Sequence, residues 1–170
     1  MESATTFYQT LTGISFTLLG LWFAVMQFGH GDWRNDPHRH RSTLHIALHF
    51  FLPGMLGLGS LLSTPVDGGL VWRTTFVIGA SIGVVESVGF IVAPHGPTGG
   101  FERTLRGLDP VLYALLLLTA FVPPAMFALS PLQLGGIVTG VLFLTGLCYV
   151  WLAFAERPGP VLRPRRADGC

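Results

Sequence analysis

Residues 74–93 read TTFVIGASIGVVESVGFIVA, an apolar run with a single formally charged side chain, Glu86, inside it. As a helix rising about 1.5 Å per residue, twenty residues cover roughly 30 Å, the hydrocarbon thickness of a bilayer. A carboxylate at such depth costs about 2.5–3.5 kcal/mol on insertion scales, while each surrounding Val, Ile, Leu or Phe returns about 0.3–0.6 kcal/mol. The run is therefore a marginal inserter that needs neighbours, and Glu86 needs a hydrogen-bond partner or a proton.

The rest of the chain supplies neighbours of the same kind. Four further apolar runs lie at Thr6–Gln27, Leu44–Ser63, Val111–Leu129 and Leu132–Ala155. Half of the 170 residues are hydrophobic and 11% are charged, and the apolar residues gather in blocks rather than spreading as in a soluble domain. The predicted fold is all-α: a polytopic integral membrane protein, a five-helix transmembrane bundle over residues 1–156. Residues 157–170, rich in Arg and Pro, read as a disordered cytoplasmic tail held near anionic headgroups. Connections between the runs are too short for a folded soluble domain, so function is expected within the bilayer, at its rims or between copies of the chain.

Arginine sets the expected orientation, because the chain has no lysine. Arg34, Arg39 and Arg41 precede the second run, Arg103 and Arg106 precede the fourth, and Arg157, Arg163, Arg165 and Arg166 follow the fifth, whereas the opposite side carries only Arg73. The positive-inside rule then places the N-terminus outside and the C-terminus in the cytoplasm, an arrangement that needs an odd number of spans. The first run lacks a basic leader and exceeds the about 7–15 residues of a signal-peptide core, so it is expected to be retained. An Arg-, Gly-, Pro- and Ala-rich composition without lysine points to a bacterial gene of high GC content, hence to a multi-pass protein of the cytoplasmic membrane. The expected partners are the lipid bilayer and further copies of the chain, with no nucleic acid.

Small residues indicate how the helices meet. Gly79, Gly83 and Ser87 recur every four residues and share a stripe with Glu86, so the carboxylate is expected to face another helix rather than lipid. Gly136 and Gly140 repeat the device in the fifth run, and Gly13, Thr17 and Gly20 in the first, which predicts close packing among the first, third and fifth helices. Pro53, and the pair Pro123 and Pro124, each remove a backbone donor within a predicted helix and are expected to act as hinges. Ser81, Thr119 or a histidine are the candidate partners of Glu86.

The six histidines, His30, His38, His40, His45, His49 and His95, fall on or near the predicted cytoplasmic side. His45 and His49 lie four apart, on one helical face, and at about 1.5 Å per residue His49 is about 7 Å and Glu86 about 10 Å from the cytoplasmic ends of their helices. Two histidines and a carboxylate could ligate Zn²⁺ or Fe²⁺ if the helices are adjacent, but no HExxH motif is present, and the reading is of no bound metal and no cofactor. Imidazoles change charge near neutral pH, which suits a proton-responsive rim better.

These residues predict a channel or transporter subunit, homo-oligomeric, moving protons or small cations. Glu86 is the expected intramembrane ion- or proton-binding group, with His45 and His49 as a cytoplasmic-side relay or pH-sensitive gate. The alternative is a non-catalytic scaffold or sensor acting through its His- and Arg-rich cytoplasmic loops. No motif identifies a reaction, and an enzymatic role is not the expected one.

Overall fold

The computed structural model describes residues 2–28, 37–93, 99–124 and 126–155. His30, His95, Arg34 and the tail 157–170 lie outside the described residues, as do the side chains of His38 and Arg39. Among the described residues, five α-helices follow in order: α1 (Glu2–Phe28), α2 (Pro37–Leu62), α3 (Leu70–Val92), α4 (Gly100–Thr119) and α5 (Pro131–Ala155), with a short 3₁₀ turn at Pro65–Asp67. Among the described residues there is no strand.

Four of these helices, over Ala4–Phe28, His40–Leu62, Leu70–Val92 and Pro131–Ala155, are long and apolar enough to cross a membrane. Large apolar side chains including Leu21, Phe23, Ile78, Val85, Leu144 and Trp151 are exposed along their outer faces. Apolar surface of that extent is unusual on a soluble monomer and, with the four apolar helices, suggests a multi-pass membrane protein.

The fourth helix departs from its expected position. It was expected at 111–129, where the apolar residues are, but it starts at Gly100 and stops at Thr119. Its first half carries Glu102, Arg103, Arg106 and Asp109, which mask it from a hydropathy reading, although Glu102 and Arg106 pair one turn apart along the helix. Its end is set by proline. Pro123 can neither donate to the Thr119 carbonyl nor avoid it sterically, so the helix cannot continue. Pro123 and Pro124 consequently sit in the non-helical segment after α4 and not at a kink within a helix. Arg73 caps this end, donating from Nη1 to the Ala120 carbonyl at 2.6 Å and from Nη2 to the Val122 carbonyl at 3.4 Å. Pro53, by contrast, lies inside α2, where it removes the N–H that would bond the His49 carbonyl.

The helices alternate in direction, as the two core clusters show. One cluster gathers Tyr8 of α1, Leu56 of α2, Phe76 of α3, Leu116 of α4 and Leu142 of α5. The other gathers Trp22, Ile46, Phe90, Leu105 and Tyr149 from the opposite ends of the same helices. In sequence, α2 packs on α1, α3 and α5, while α4 packs on α3 and α5, so α2 has neighbours on three sides. Trp22 Nε1 donates to the Thr43 carbonyl between α1 and α2, and the Tyr8 hydroxyl to the Leu132 carbonyl between α1 and α5.

Glycine decides several of these approaches. A Cβ on Gly79 would stand 3.0 Å from Leu56 of α2, and one on Gly83 only 2.2 Å from the Tyr113 ring of α4. One on Gly136 would stand 3.2 Å from Phe7 of α1, whereas Gly140 makes only ordinary contact with Phe7, at 3.7 Å. The expected stripe of α1 does not face a neighbour: Gly13 and Gly20 have nothing within 4 Å of an added Cβ, and Thr17 is exposed. Tyr8, Leu11, Thr12, Ser15 and Trp22 form the inward face of α1 instead.

The α2–α3 connection is held by Asp67. Its carboxylate accepts from the backbone N–H groups of Thr64 (2.6 Å) and Gly69 (2.7 Å) and from the Ser63 hydroxyl (3.0 Å). The backbone donor of Thr64 foremost, then that of Gly69 and the hydroxyls, hold the carboxyl below the usual carboxylate range. Gly68 and Gly69 follow with φ of 60° and 82°, left-handed values that glycine adopts without strain. Because the folded pKa is depressed, the contribution of the ionised group is full above the unfolded pKa of about 3.9 and disappears as pH falls through the folded value. The stability difference between wild type and Asp67→Asn is therefore expected to be constant from neutral pH down to about 5 and to close below about 4. Unfolding curves in detergent at stepped pH check this, and a difference that persists undiminished at pH 3 would refute it.

Candidate functional site

Between the two apolar clusters, four helices converge on a group of polar side chains. α2 contributes His45 and His49, whose four-residue spacing stacks the rings on one face with centroids 4.5 Å apart. α3 contributes Glu86, α4 Asp109 and α5 Tyr149. His45, His49 and Asp109 are 1%, 0% and 0% exposed, and the Glu86 side chain is 16% exposed.

His45 is the hub. Its Nδ1 lies 2.7 Å from Glu86 Oε2 and its Nε2 lies 3.2 Å from Asp109 Oδ2. The partner of Glu86 is thus His45; Ser81 is exposed, and the Thr119 hydroxyl donates to the Leu116 carbonyl. His49 does not meet Glu86. Its Nδ1 stands 3.0 Å from the His45 carbonyl, and its Nε2 stands 3.3 Å from Asp109 Oδ1. The Tyr149 hydroxyl donates to Asp109 Oδ2 at 2.6 Å. Phe90 stacks on the His45 ring at 4.0 Å with the planes 9° apart, and the Arg106 guanidinium carbon lies 4.6 Å from the centre of the same Phe90 ring.

The hydrogen-bond partners constrain the tautomers. A carbonyl oxygen only accepts, so His49 carries its proton on Nδ1; His45 stands between two carboxylates, and the shorter contact, 2.7 Å to Glu86 against 3.2 Å to Asp109, favours its proton on Nδ1. In the neutral rings both Nε2 lone pairs then point at the Asp109 carboxylate. His49 Nε2 and Asp109 Oδ1 are fully buried and have no hydrogen-bond partner among the described residues. Buried acceptors facing each other in a low-dielectric interior are unfavourable unless a positive charge lies among them.

The sequence reading chose Glu86, His45 and His49 and missed Asp109 and Tyr149. Glu86 is not the only acid in the bundle interior: Asp109 is more deeply buried. Asp109 lies just before the apolar run expected to begin at Val111, beside Arg106 and Pro110, so hydropathy left it outside the predicted helix. A signal was present, since Asp109 lies four residues after Leu105 and four before Tyr113, on the face that buries Leu105, Leu112 and Leu116. Tyr149 shares a face with Leu142, Thr145 and Gly146, but a single tyrosine in an apolar helix carries no distinguishing mark.

Gly146 matters to the site because a Cβ there would stand 2.8 Å from His49 Cβ, so its absence lets α5 close on α2 and bring Tyr149 to Asp109. Pro110 directly follows Asp109 and Pro53 lies one turn beyond His49, so the regular backbone ladder is interrupted beside the site on two helices. The chain matches no protein-family model, no curated protein and no solved structure.

Proposed function

We propose that this protein is a channel or transporter subunit of a bacterial cytoplasmic membrane that moves a small cation through a centre built from Glu86, His45, His49 and Asp109. All five helices cross in this reading, with the N-terminus outside and the C-terminus cytoplasmic. The antiparallel arrangement supports it by bringing Arg41, Arg103 and Arg106 to one end of the bundle and Arg73 to the other. The fourth helix crosses as part of the bundle, its Asp109 turned inward and its Glu102 and Arg106 paired.

The observation that carries the proposal is the continuous polar connection from half-buried Glu86 through His45 to fully buried Asp109 and His49. Ionisable side chains inside a membrane bundle are costly, and where they converge they mark ion or proton paths. The breaks at Pro53 and Pro110, adjoining the two helices' contributions to the centre, fit a cation pathway, because irregular backbone at membrane depth is tolerated where it lines protein or a cavity. Assembly into a homo-oligomer belongs to the same proposal, with exposed apolar faces shared between lipid and neighbouring copies.

Purified wild-type protein and Glu86→Gln, reconstituted in liposomes and compared under proton and metal-cation gradients, test it. Glu86→Gln removes a charge-assisted contact worth about 1.5–3 kcal/mol, so flux is expected to fall roughly ten- to a hundredfold while the assembly keeps its size. Unchanged flux in the variant would sink the role of Glu86. No flux from either protein would favour the scaffold or sensor working through the His- and Arg-rich loops.

A further inference from the structure

We infer that His45, His49 and Asp109 bind one divalent transition-metal ion of the borderline class, Zn²⁺ or Fe²⁺, through His45 Nε2, His49 Nε2 and Asp109 Oδ1. The inference rests on the cation-centre reading and names the cation.

Geometry is the first argument. One donor atom from each of the three side chains lies within 4.8 Å of the others. Two ligands bonded at about 2.0–2.1 Å to a tetrahedral ion lie roughly 3.3–3.4 Å from each other. The separation of His49 Nε2 and Asp109 Oδ1, 3.3 Å, matches that edge. The same two atoms are not aligned for a hydrogen bond despite their closeness, and neither has another partner among the described residues. A proton shared between them needs a nearly linear path, whereas two metal ligands converge on an ion that lies off the line joining them.

The outer contacts are the second argument. Histidines that ligate a metal donate their other ring N–H to a carboxylate or a backbone carbonyl, which fixes the tautomer and turns the free nitrogen to the ion. Both histidines do so: His45 Nδ1 toward Glu86 at 2.7 Å, and His49 Nδ1 toward the His45 carbonyl at 3.0 Å. The ligating carboxylate is held in the same way, with the Tyr149 hydroxyl donating to Oδ2 and leaving Oδ1 turned to His49. Glu86 and Tyr149 are accordingly positioning residues. Two helices supply the three ligands and two more the supporting groups, so the site exists only in the folded bundle.

Charge balance is the third. Asp109 and Glu86 supply two negative charges, which one dication neutralises with both imidazoles neutral. Neutralisation without a metal would instead place two protons among these four side chains, three of them fully buried. The donor set of two imidazoles and one carboxylate suits Zn²⁺ and Fe²⁺ and disfavours Ca²⁺ and Mg²⁺, which take oxygen donors.

The test uses the full-length protein purified in detergent, stripped with a chelator, dialysed against Zn²⁺ or Co²⁺, and then washed free of loose metal. One Zn²⁺ per chain is expected by elemental analysis. Co²⁺ is expected to give the visible absorption of a low-coordinate nitrogen and oxygen site, a readout that needs no variant. Glu86→Gln should retain the site with affinity lowered about 10–100-fold, as for other supporting contacts, and His49→Ala and Asp109→Asn should lose more than that. His40→Ala, at an exposed position outside the cluster, should bind as wild type. Folded wild-type protein that takes up neither ion overturns the inference, as does unchanged binding in both His49→Ala and Asp109→Asn. Liposome flux separates the two readings: proton flux sensitive to Glu86→Gln without metal uptake removes the metal site and keeps the transporter. Stoichiometric metal without flux of any cation keeps the metal site and removes transport.

Discussion

Asp109→Ala is expected to destabilise the bundle by about 3–5 kcal/mol, the loss seen when one partner of a buried charged group is removed. Asp109 is fully buried and stands against three side chains on two other helices: His45 and His49 of α2 and Tyr149 of α5. Truncation leaves the Tyr149 hydroxyl without its acceptor and His45 Nε2 without its contact to Oδ2, and each stranded polar group costs about 1–3 kcal/mol. Asp109→Asn keeps an oxygen for Tyr149 and fills the same volume, so it should cost clearly less than alanine. Glu86→Ala should also cost less, because Glu86 is partly exposed and water or headgroups can replace it. Unfolding of purified protein by denaturing detergent, with helicity as the signal, orders the three variants. An Asp109→Ala protein within about 1 kcal/mol of wild type would mean that α2, α4 and α5 are held together by their apolar faces alone.

The helices were legible where hydropathy and helix coincide. The runs at 6–27, 44–63, 74–93 and 132–155 fall on helices, to within a residue at their ends, because the few polar side chains in them, Glu86 included, are outweighed by apolar ones; α5 itself opens at Ser130-Pro131-Leu132-Gln133. There Gln133 Oε1 accepts from the Ser130 N–H, and the Gln133 N–H donates to Ser130 Oγ. α4 was misplaced because its helical half is charged and its apolar half is cut by two prolines. Hydropathy reports which residues avoid water, and it does not report where a backbone can continue as helix.

The candidate site was legible only in part, for a related reason. Glu86 is conspicuous because its neighbours in sequence are apolar, and His45 and His49 because their spacing places them together on any helix. Asp109 is inconspicuous because its neighbours in sequence are Arg106, Gly107 and Pro110, although its neighbours in space are two histidines and a tyrosine. Glycine spacing misled in α1 for the same reason that it informed in α3: the pattern shows that a close approach is possible, and only the partner helix determines whether one occurs.

Gly83→Leu is expected to prevent assembly of the native bundle, and Gly83→Ala to cost about 2–3 kcal/mol, the upper range for overpacking in a dense core. A Cβ at Gly83 would lie 2.2 Å from Tyr113 Cδ1, 2.3 Å from Cε1 and 2.6 Å from Cγ. Since Cγ is the root of the ring, rotating the ring does not relieve the overlap; either α4 moves away from α3 or Tyr113 leaves its buried position. Tyr113 also packs against His49, with ring centroids 5.9 Å apart, so the strain reaches the polar centre. The cause can be isolated by a double-mutant cycle, because residues in contact give non-additive effects. In a Tyr113→Ala background the overlap is gone, and Gly83→Ala should then become neutral or stabilising by up to about 1 kcal/mol, the ordinary helix preference for alanine over glycine. Gly13→Ala, where an added methyl meets nothing within 4 Å, sets that reference value directly. If Gly83→Ala remains as costly without the Tyr113 ring as with it, the close approach of α3 and α4 is not what the glycine serves, and the placement of Asp109 on α4 opposite His45 loses its structural support.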